Sequence, residues 1–455
     1  MDVRASRVLK LRKVDKVLDT PPPRRTDFFM AFDRAAFFAA VRALQSRPTP
    51  NQTVSFAVDA KVVDICYEAC AASCRARLGT IHFIRGWQLT APPSSRFSIL
   101  FGGLSSLIYQ GRGTWLSVSD VGWLVELRQR THDFLATVRL LHGTDGQPIG
   151  AGPMTKDFKS LSNPEALALS STIGEGLVAF EDAQRIVSYT SSFTGPSRSI
   201  IDGFTNLRPN CPSNLGVEAV VLLEARNRLM LFCEGRCDGG PCHDEEGTTS
   251  TPVFLYEYDV SAAGAAARLL ATFSYPLVDD LRLSSAALVQ NDSAILLLER
   301  KFFPRWKSAS GGGVLARLRL LPSVNNVLRL EDGSTLNAPK VAELCPSEAL
   351  TDNFEGLAVD GESRRAWIIS DNNYASWSTG HQNTLLFELE LPERLEPLST
   401  ARLPQCAVLA SSSSPPQMQL ASLAAGFYGL GGGGLVLLGA AAILARRPRR
   451  RALML

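Results

Sequence analysis

The sequence carries little net charge for its length. Its 455 residues include 47 Lys and Arg and 44 Asp and Glu, which gives a formal net charge of +3. Much of the basic excess lies in residues 4–16 and 446–451, so the middle of the chain is near neutral or acidic. Aromatic residues are not interleaved with basic ones, as a nucleic-acid groove requires. These absences exclude nucleic acid as the expected partner.

Histidine is scarce, and the motifs of serine hydrolases are missing. The five histidines are scattered, and neither a G-x-S-x-G stretch nor a Ser-His-Asp arrangement can be recognised. A serine esterase is therefore not expected. Helical periodicity is also lacking between about residues 98 and 392, where short apolar runs alternate with Gly, Asn and Asp turns. That pattern favours strands.

One apolar run is long enough to cross a membrane. Leu420–Ala445 carries no charge, and at about 1.5 Å rise per residue it would span a hydrocarbon core of roughly 30 Å. The basic segment 446–455 follows, and such segments tend to stay cytosolic. We therefore expect a single-pass transmembrane helix, a cytosolic tail, and a lumenal or extracellular main domain carried on the Pro/Ser-rich linker 393–419. A GPI signal is disfavoured because its tail would end apolar.

The first 50 residues lack the apolar core of a signal peptide. Residues 28–44 are apolar but are interrupted by Asp33, Arg34 and Arg42. This favours an amphipathic helix, or a weak signal behind a misassigned start, and leaves a tail-anchored cytosolic domain as an alternative. We expect much of the N-terminal extension 1–50 to be poorly ordered.

The nine cysteines fall mainly into two groups. Cys66, Cys70 and Cys74 recur at every fourth position and are predicted to share one helix face in the leading segment 51–97. Three thiols without a nearby fourth ligand favour packed or partly paired cysteines over zinc. Disulfides, which suit an oxidising compartment, are predicted for Cys211, Cys233, Cys237 and Cys242. Asn51 and Asn291 begin formal N-glycosylation motifs, consistent with that compartment.

An internal repeat organises the region 98–392. In three copies, two acidic residues frame a pair of apolar runs and lie sixteen positions apart. These pairs are Glu165 and Glu181, Glu218 and Glu234, and Glu355 and Asp371. Two further copies begin at Ser105 and Ser285 and end at Asp120 and at Glu299 or Arg300. A further strand-like segment follows each copy.

These repeats predict an all-β propeller of five to seven blades. A meander of apolar strands cannot bury both faces alone, whereas radial stacking around an axis buries them. The earlier stretches VSFAVDA and TIHFIRGWQL would supply another blade or close the ring. A two-sheet sandwich is the alternative, but it does not predict a fixed polar position in every repeat.

The fixed polar positions are expected at one rim of the central channel. The first residue of each pair would start an innermost strand, and the inner ring would comprise Ser105, Glu165, Glu218, Ser285 and Glu355. The second residue would return to the same end and form an outer ring of Asp120, Glu181, Glu234, Glu299 or Arg300, and Asp371. So many carboxylates repel one another unless a cation compensates, and Ca²⁺ prefers such ligands. Alternatively, the acids bond backbone amides of neighbouring blades, and the outer residues cap turns.

Nine short stretches, including NPEALAL, GVEAVV, LLLERKF, DNFEGLAV and IISDNNY, occur in an order that resembles the phytase-like family described as having esterase-like activity of phytase. The resemblance covers residues 98–392 and implies an often exported β-propeller that hydrolyses phosphate esters. The Asp-rich calcium motifs of alkaline β-propeller phytases are absent, which argues against inositol phosphates. The family pattern is carried by Glu165, Glu181, Glu218, Glu234, Glu299, Arg300, Asn353, Glu355, Asp371, Asn372 and Asn373.

Two functions are compatible with these residues. The first is a metal-assisted phosphate-ester hydrolase in which Glu165, Glu218 and Glu355 hold Ca²⁺. Arg300 would steady the phosphate of a phosphorylated small molecule, and Glu355 or Glu165 would take a proton from the attacking water. Further ligand contacts are expected from Glu218, Asp371, Asn372, Asn353, Glu181 and Glu234. The second is a non-catalytic propeller on a membrane stalk that binds a ligand or protein at the same funnel.

Overall fold

The computed structural model describes residues 53–92, 100–149 and 163–398, the last with gaps at 171, 173, 182–184, 191, 203–210, 212–215, 236–249, 260–265, 291, 304–312 and 373–383. The described residues form 21 β-strands and two short α-helices, α1 (Ala71–Arg77) and α2 (Val324–Val327). The chain is therefore all-β, as predicted. Several predictions fall outside the described residues: those on the extension 1–50, Asn51, Cys237, Cys242, Asn291, Asn373 and the span 420–445.

Five groups of four antiparallel strands carry the repeats. The first group is β3 (Leu104–Gly111), β4 (Thr114–Ser119), β5 (Trp123–Gln129) and β6 (Asp133–Leu140). The second is β7 (Pro164–Ser170), β8 (Glu175–Phe180), β9 (Arg185–Thr190) and β10 (Arg198–Asp202). The third is β11 (Val217–Leu223), β12 (Arg228–Cys233), β13 (Ser250–Glu257) and β14 (Arg268–Pro276). The fourth is β15 (Arg282–Val289), β16 (Ala294–Phe303), β17 (Gly313–Leu321) and β18 (Lys340–Leu344). The fifth contains β19 (Asn353–Asp360), β20 (Arg365–Asp371) and β21 (Thr384–Glu390), completed by an N-terminal strand.

The first strands of the five groups form a closed ring. Strand β3 contacts β7 and β19, β11 contacts β7 and β15, and β15 contacts β19. Each group extends outward from this ring as a four-stranded sheet. The described part of the chain is therefore a five-bladed β-propeller, and the sandwich alternative is wrong.

The N-terminal strands close the propeller. Strand β2 (His82–Thr90) pairs with β21 and becomes the fourth strand of the fifth blade. Strand β1 (Thr53–Val63) pairs with β2 on one side and with β6 of the first blade on the other. The first and fifth blades thus share one continuous nine-stranded sheet.

Strands of the blades are buried on both faces, which explains their continuous apolar runs. In β16, Ile295 and Leu297 pack into the core shared with the third blade. Leu296 and Leu298 on the other face pack into the core shared with the fifth blade, near Phe354. Alternation along one strand therefore supplies two inter-blade cores.

The cysteine predictions are confirmed in part. Cys66 forms a disulfide with Cys74, and Cys211 forms one with Cys233. Among the described cysteines, Cys70 has a free thiol. The single helix face predicted for the first group is wrong, because α1 begins only at Ala71 and Cys66 lies in an isolated bridge to Ala349.

A membrane-spanning helix was predicted at Leu420–Ala445, outside the described residues. Within the described ranges, no helix has the length and apolar character needed to cross a bilayer.

Candidate functional site

A β-bulge marks the same point of every innermost strand. Pairing with the second strand shifts at Glu165, Glu218, Ser284 and Glu355, and in the first blade directly after Ser105. A bulge re-aims a side chain and is common beside functional sites. The four bulged residues, together with Ser105, which pairs with Val118 just before the bulge of the first blade, define the inner ring of the axial polar cluster.

In the fourth blade the inner-ring position belongs to Ser284, so the prediction of Ser285 is wrong by one residue. Leu283 pairs with Glu299 and Ser285 with Leu298, which leaves Ser284 in the bulge. Ser285 Oγ instead accepts a hydrogen bond of 3.1 Å from the backbone N–H of Leu357 in the next blade. Ser285 therefore ties two blades together.

The outer ring consists of the second-strand residues at the level of the inner ring. Asp120, Glu181 and Glu234 directly follow β4, β8 and β12, whereas Asp371 is paired with Asn353 at the end of β20. Strand register places Arg300, not Glu299, at this position of the fourth blade. Glu299 is buried away from the ring, where its Oε1 accepts a hydrogen bond of 2.6 Å from Tyr275 and lies 3.3 Å from Arg319 Nη1. Burial raises the pKa of Glu299, against the opposing effects of Arg319 and Tyr275. The completed outer ring is Asp120, Glu181, Glu234, Arg300 and Asp371.

One side of the cluster is organised around a guanidinium, and we call it the arginine half: Ser105, Asp120, Arg300, Asn353, Glu355 and Asp371. Arg300 Nη2 lies 2.9 Å from Glu355 Oε1, and Nη1 donates to Asn353 Oδ1. Asn353 Nδ2 donates to Glu355 Oε1 at 2.6 Å. Ser105 Oγ lies 2.9 Å from Glu355 Oε2 and 3.0 Å from Asp120 Oδ1, so its single proton can serve either carboxylate.

The opposite side, which we call the carboxylate half, comprises Asn163, Glu165, Glu181 and Glu218. Oxygens of its three glutamates lie within 4.8 Å of one another. Glu181 Oε1 accepts a 3.0 Å hydrogen bond from Gly216 N, and Asn163 Nδ2 donates to Glu181 Oε2. A Cβ at Gly216 would come within 2.5 Å of Glu181 Cγ, so glycine permits this close approach. Asn163 Oδ1 is buried and has no hydrogen-bond partner among the described residues.

Charges of the two halves influence each other. Burial raises the pKa of Glu218 well above its usual value, and the charges of Glu165, Glu234 and Glu181 raise it further, while Arg300 opposes them. Burial alone would lower the pKa of Arg300, but Glu355, Glu234 and the other nearby carboxylates outweigh it and raise the pKa. Arg300 therefore remains charged, while Glu218 tends to keep its proton.

The predicted metal ligands are divided between the halves. Glu165 and Glu218 group with Glu181, whereas Glu355 groups with Asp120 and Asp371, again within 4.8 Å. Of the predicted ligand-binding residues, Asn353 and Asp371 lie in the arginine half and Glu181 and Glu218 in the carboxylate half. Between the halves, Glu234 Oε1 lies 3.5 Å from Arg300 Nη2. Asn372 Oδ1 accepts from Gly103 N at 3.3 Å, which joins the fifth and first blades within the arginine half.

Sequence reasoning missed Asn163. A signal for it exists, because Asn163 stands two residues before Glu165 in the same way as Asn353 stands before Glu355. The two asparagines therefore occupy equivalent blade positions.

The cluster is more enclosed than the predicted funnel. Inner-ring residues have exposed fractions of only 0–6%, while the side chains of Arg300 and Glu234 reach 16% and 12%. The open part of the axis, a cavity of about 240 Å³, lies toward the other ends of the innermost strands. All five strands line it with apolar residues, including Leu107, Leu167, Val220, Ala287 and Leu357. The axis thus has a filled polar end and an open apolar end.

Comparisons with known proteins give one family and several solved structures. The profile of the phytase-like family, described as esterase-like activity of phytase, matches residues 99–374. No curated protein matches the chain.

The solved structures include a gluconolactonase from Xanthomonas campestris, with 11% identity, 74% of this chain and 98% of that chain covered, and a TM-score of 0.33. The PQQ-bound aldose sugar dehydrogenase from Streptomyces coelicolor shows 12% identity, coverages of 69% and 98%, and a TM-score of 0.33. The β-propeller domain of Cps50 (Swd1) from Myceliophteria thermophila shows 9% identity, coverages of 73% and 100%, and a TM-score of 0.32. Likeness at this level says nothing about a shared activity.

Proposed function

The chain belongs to the phytase-like family, whose profile matches more than half of its residues, and from this premise we propose that it hydrolyses phosphate esters at the axial polar cluster. The supporting observation is the convergence of one equivalent innermost-strand position from each of five blades. It brings two carboxylate groups and Arg300 into one cluster.

A hard cation fits the residues present. Each carboxylate group keeps its oxygens within 4.8 Å, and two ligands at 2.3–2.6 Å from one Ca²⁺ are at most about 5 Å apart. The donor atoms are all oxygens, which favours Ca²⁺ over metals that prefer nitrogen or sulfur.

The side chains have distinct proposed roles. A bound cation would polarise a phosphoryl oxygen and lower the pKa of a coordinated water. Arg300, charged and partly exposed, would hold the phosphate. Glu355 or Glu165 would accept the proton of the attacking water, and the contacts of Glu355 with Ser105 and Asn353 fix its orientation.

The location of the protein is proposed from its sequence and its disulfides. The apolar segment 420–445 and the basic tail 446–455 support a single-pass anchor, with the propeller lumenal or extracellular. The disulfides Cys66–Cys74 and Cys211–Cys233 are consistent with an oxidising compartment.

An assay of the full-length protein on a panel of phosphate monoesters and diesters tests the hydrolase. We expect turnover that EGTA abolishes and Ca²⁺ restores, and a fall in kcat of at least about 100-fold in Glu355→Gln. Ser285→Ala, which alters a blade contact outside the rings, serves as the control and should retain kcat within about threefold. Absence of turnover on every ester, or turnover indifferent to EGTA, would contradict the proposal.

The second candidate is a non-catalytic propeller that binds a ligand. The burial of the acids and an open cavity lined mostly by apolar side chains favour it. An apolar fluorescent probe should then bind the wild-type protein, and Ala287→Trp, which would fill the cavity, should abolish the signal. Equal binding by both proteins would contradict this candidate.

A further inference from the structure

Asn163 and Asn353 occupy equivalent positions in the second and fifth blades, but their carbonyl oxygens have different surroundings. Asn353 Oδ1 accepts from Arg300, and its amide donates to Glu355. Asn163 also donates its amide to a carboxylate, that of Glu181, but its Oδ1 is buried and finds no partner within the part of the chain that the structure describes. A buried acceptor left unpaired is costly, so such an atom in a native protein indicates a place where a ligand or an ordered water binds.

The unpaired oxygen belongs to a side chain that contacts a group of three carboxylates. Glu165, Glu181 and Glu218 bring their oxygens within 4.8 Å of one another. Asn163 is hydrogen-bonded to Glu181, a member of this group, and is itself only 1% exposed. Carboxylate and amide carbonyl oxygens are the ligands that Ca²⁺ takes in proteins. A cation would therefore satisfy both the Asn163 oxygen and the three carboxylates.

In the arginine half, a positively charged group already occupies the position equivalent to this one. There a guanidinium lies between an asparagine oxygen and a glutamate. Its fixed positive charge disfavours a second cation beside Asp120, Glu355 and Asp371. The two triads are therefore unequal candidates for an ion.

We propose that a divalent hard cation, with Ca²⁺ as the first choice, binds in the carboxylate half through Glu165, Glu181, Glu218 and the Asn163 carbonyl oxygen. The ion joins the second and third blades at the axis, as Arg300 joins the third, fourth and fifth. This assignment specifies the ion that the proposed hydrolase uses and in that sense rests on it. Ion binding is measured without turnover, so the two can fail separately.

Isothermal titration of EGTA-treated full-length protein with CaCl₂ tests the site. We expect one binding site. Glu181→Gln, in the carboxylate half, should raise the Kd at least tenfold. Asp120→Asn, its counterpart in the neighbouring blade but in the arginine half, should change the Kd by less than about twofold. Circular dichroism of both variants reports whether they are folded.

Other outcomes overturn the proposal. No heat of binding from folded wild-type protein at millimolar CaCl₂ excludes the site, and a larger effect of Asp120→Asn moves the ion to the arginine half. If Glu181→Gln fails to fold, wild-type crystals soaked in terbium chloride still decide the matter. An anomalous peak between Glu165, Glu181, Glu218 and Asn163 Oδ1 supports the assignment, and a peak elsewhere or none contradicts it.

Discussion

The two halves of the axial cluster are built from the same repeat positions but neutralise their acids differently. In the arginine half, Arg300 pairs with Glu355 and binds the Asn353 oxygen. In the carboxylate half, three glutamates converge, one of them with a raised pKa. They lie beside an asparagine oxygen that has no partner in the described ranges. The comparison shows that the ring of five blades brings the polar residues together. The charge balance of each half depends on one position, because Arg300 stands in the fourth blade where the other blades have an acid.

Removing the guanidinium of Arg300 should lower the free energy of unfolding more than any other change considered. In Arg300→Met, Glu355 and Glu234 stay buried near the axis without the arginine, and breaking a buried pair in this way costs about 3–5 kcal/mol. Urea unfolding of the full-length protein measures the loss. Arg300→Lys keeps the charge and should recover part of the stability. If Arg300→Met unfolded at the wild-type midpoint, the arginine half would not depend on its cation.

Exchanging the two asparagines for alanine tests the comparison directly. Asn353→Ala loses hydrogen bonds to two charged groups, Arg300 and Glu355, whereas Asn163→Ala loses one, to Glu181. In EGTA we therefore expect the first variant to be the less stable by about 1.5–3 kcal/mol. Chemical denaturation of both variants gives the difference. Equal losses would show that the surroundings of the two oxygens do not differ in energy.

The raised pKa of Glu218 predicts a pH dependence that belongs to the carboxylate half. Because the folded state holds this proton more tightly than the unfolded state, the group stabilises the fold at low pH. This stabilisation should begin to fall when the pH rises above 4.5, the usual pKa of a glutamate, and it should be lost once the pH exceeds the raised pKa of Glu218. Glu218→Gln cannot ionise, so its stability should not show this decrease with pH. In EGTA at alkaline pH the variant should therefore be more stable than the wild-type protein.

Thermal melts of the two proteins from pH 5 to 9 measure this effect. Parallel profiles for wild type and Glu218→Gln would contradict it.

The smallest loss of stability is expected from removing the serine hydroxyls that join neighbouring innermost strands, and it should be equal for Ser106 and Ser285. Ser106 Oγ accepts from Leu167 N at 3.0 Å, and Ser285 Oγ accepts from Leu357 N at 3.1 Å. Each joins one innermost strand to the next. Ser106→Ala and Ser285→Ala should therefore each cost about 1 kcal/mol, measured by denaturation. A large difference between them would mean that the halves differ in blade packing and not only in charge.

Much of the fold can be predicted from the sequence because its signals are local. The apolar runs and turns locate the first three strands of every blade, and the recurrence of Glu165, Glu218 and Glu355 predicts their convergence. The closure by β2 is long-range, and the sequence left it as one of two alternatives. No periodicity connects His82–Thr90 with the strand β21, about 300 residues later.

Details of the site depend on register and packing, which the pattern does not determine. Ser284 and Ser285 are both serine, and only the bulge at Ser284 shows which one takes the backbone position that Glu355 has in the fifth blade. Glu299 and Arg300 are likewise adjacent, and one step of register exchanges an acid for a base. The enclosure of the acids follows from how closely five strands meet at the axis, and that distance is a tertiary property.

The N-terminal closure has a consequence for biosynthesis. Ser105 and Asp120 leave the ribosome long before Glu355 and Asp371, yet all four belong to one side of the same cluster. The strand that completes the fifth blade is also made early and must wait, with one edge exposed, until β21 has been translated. Any chain released before residue 384 would therefore keep that edge unpaired and be prone to association with other copies. The axial polar cluster can therefore assemble only after nearly the whole propeller has been synthesised.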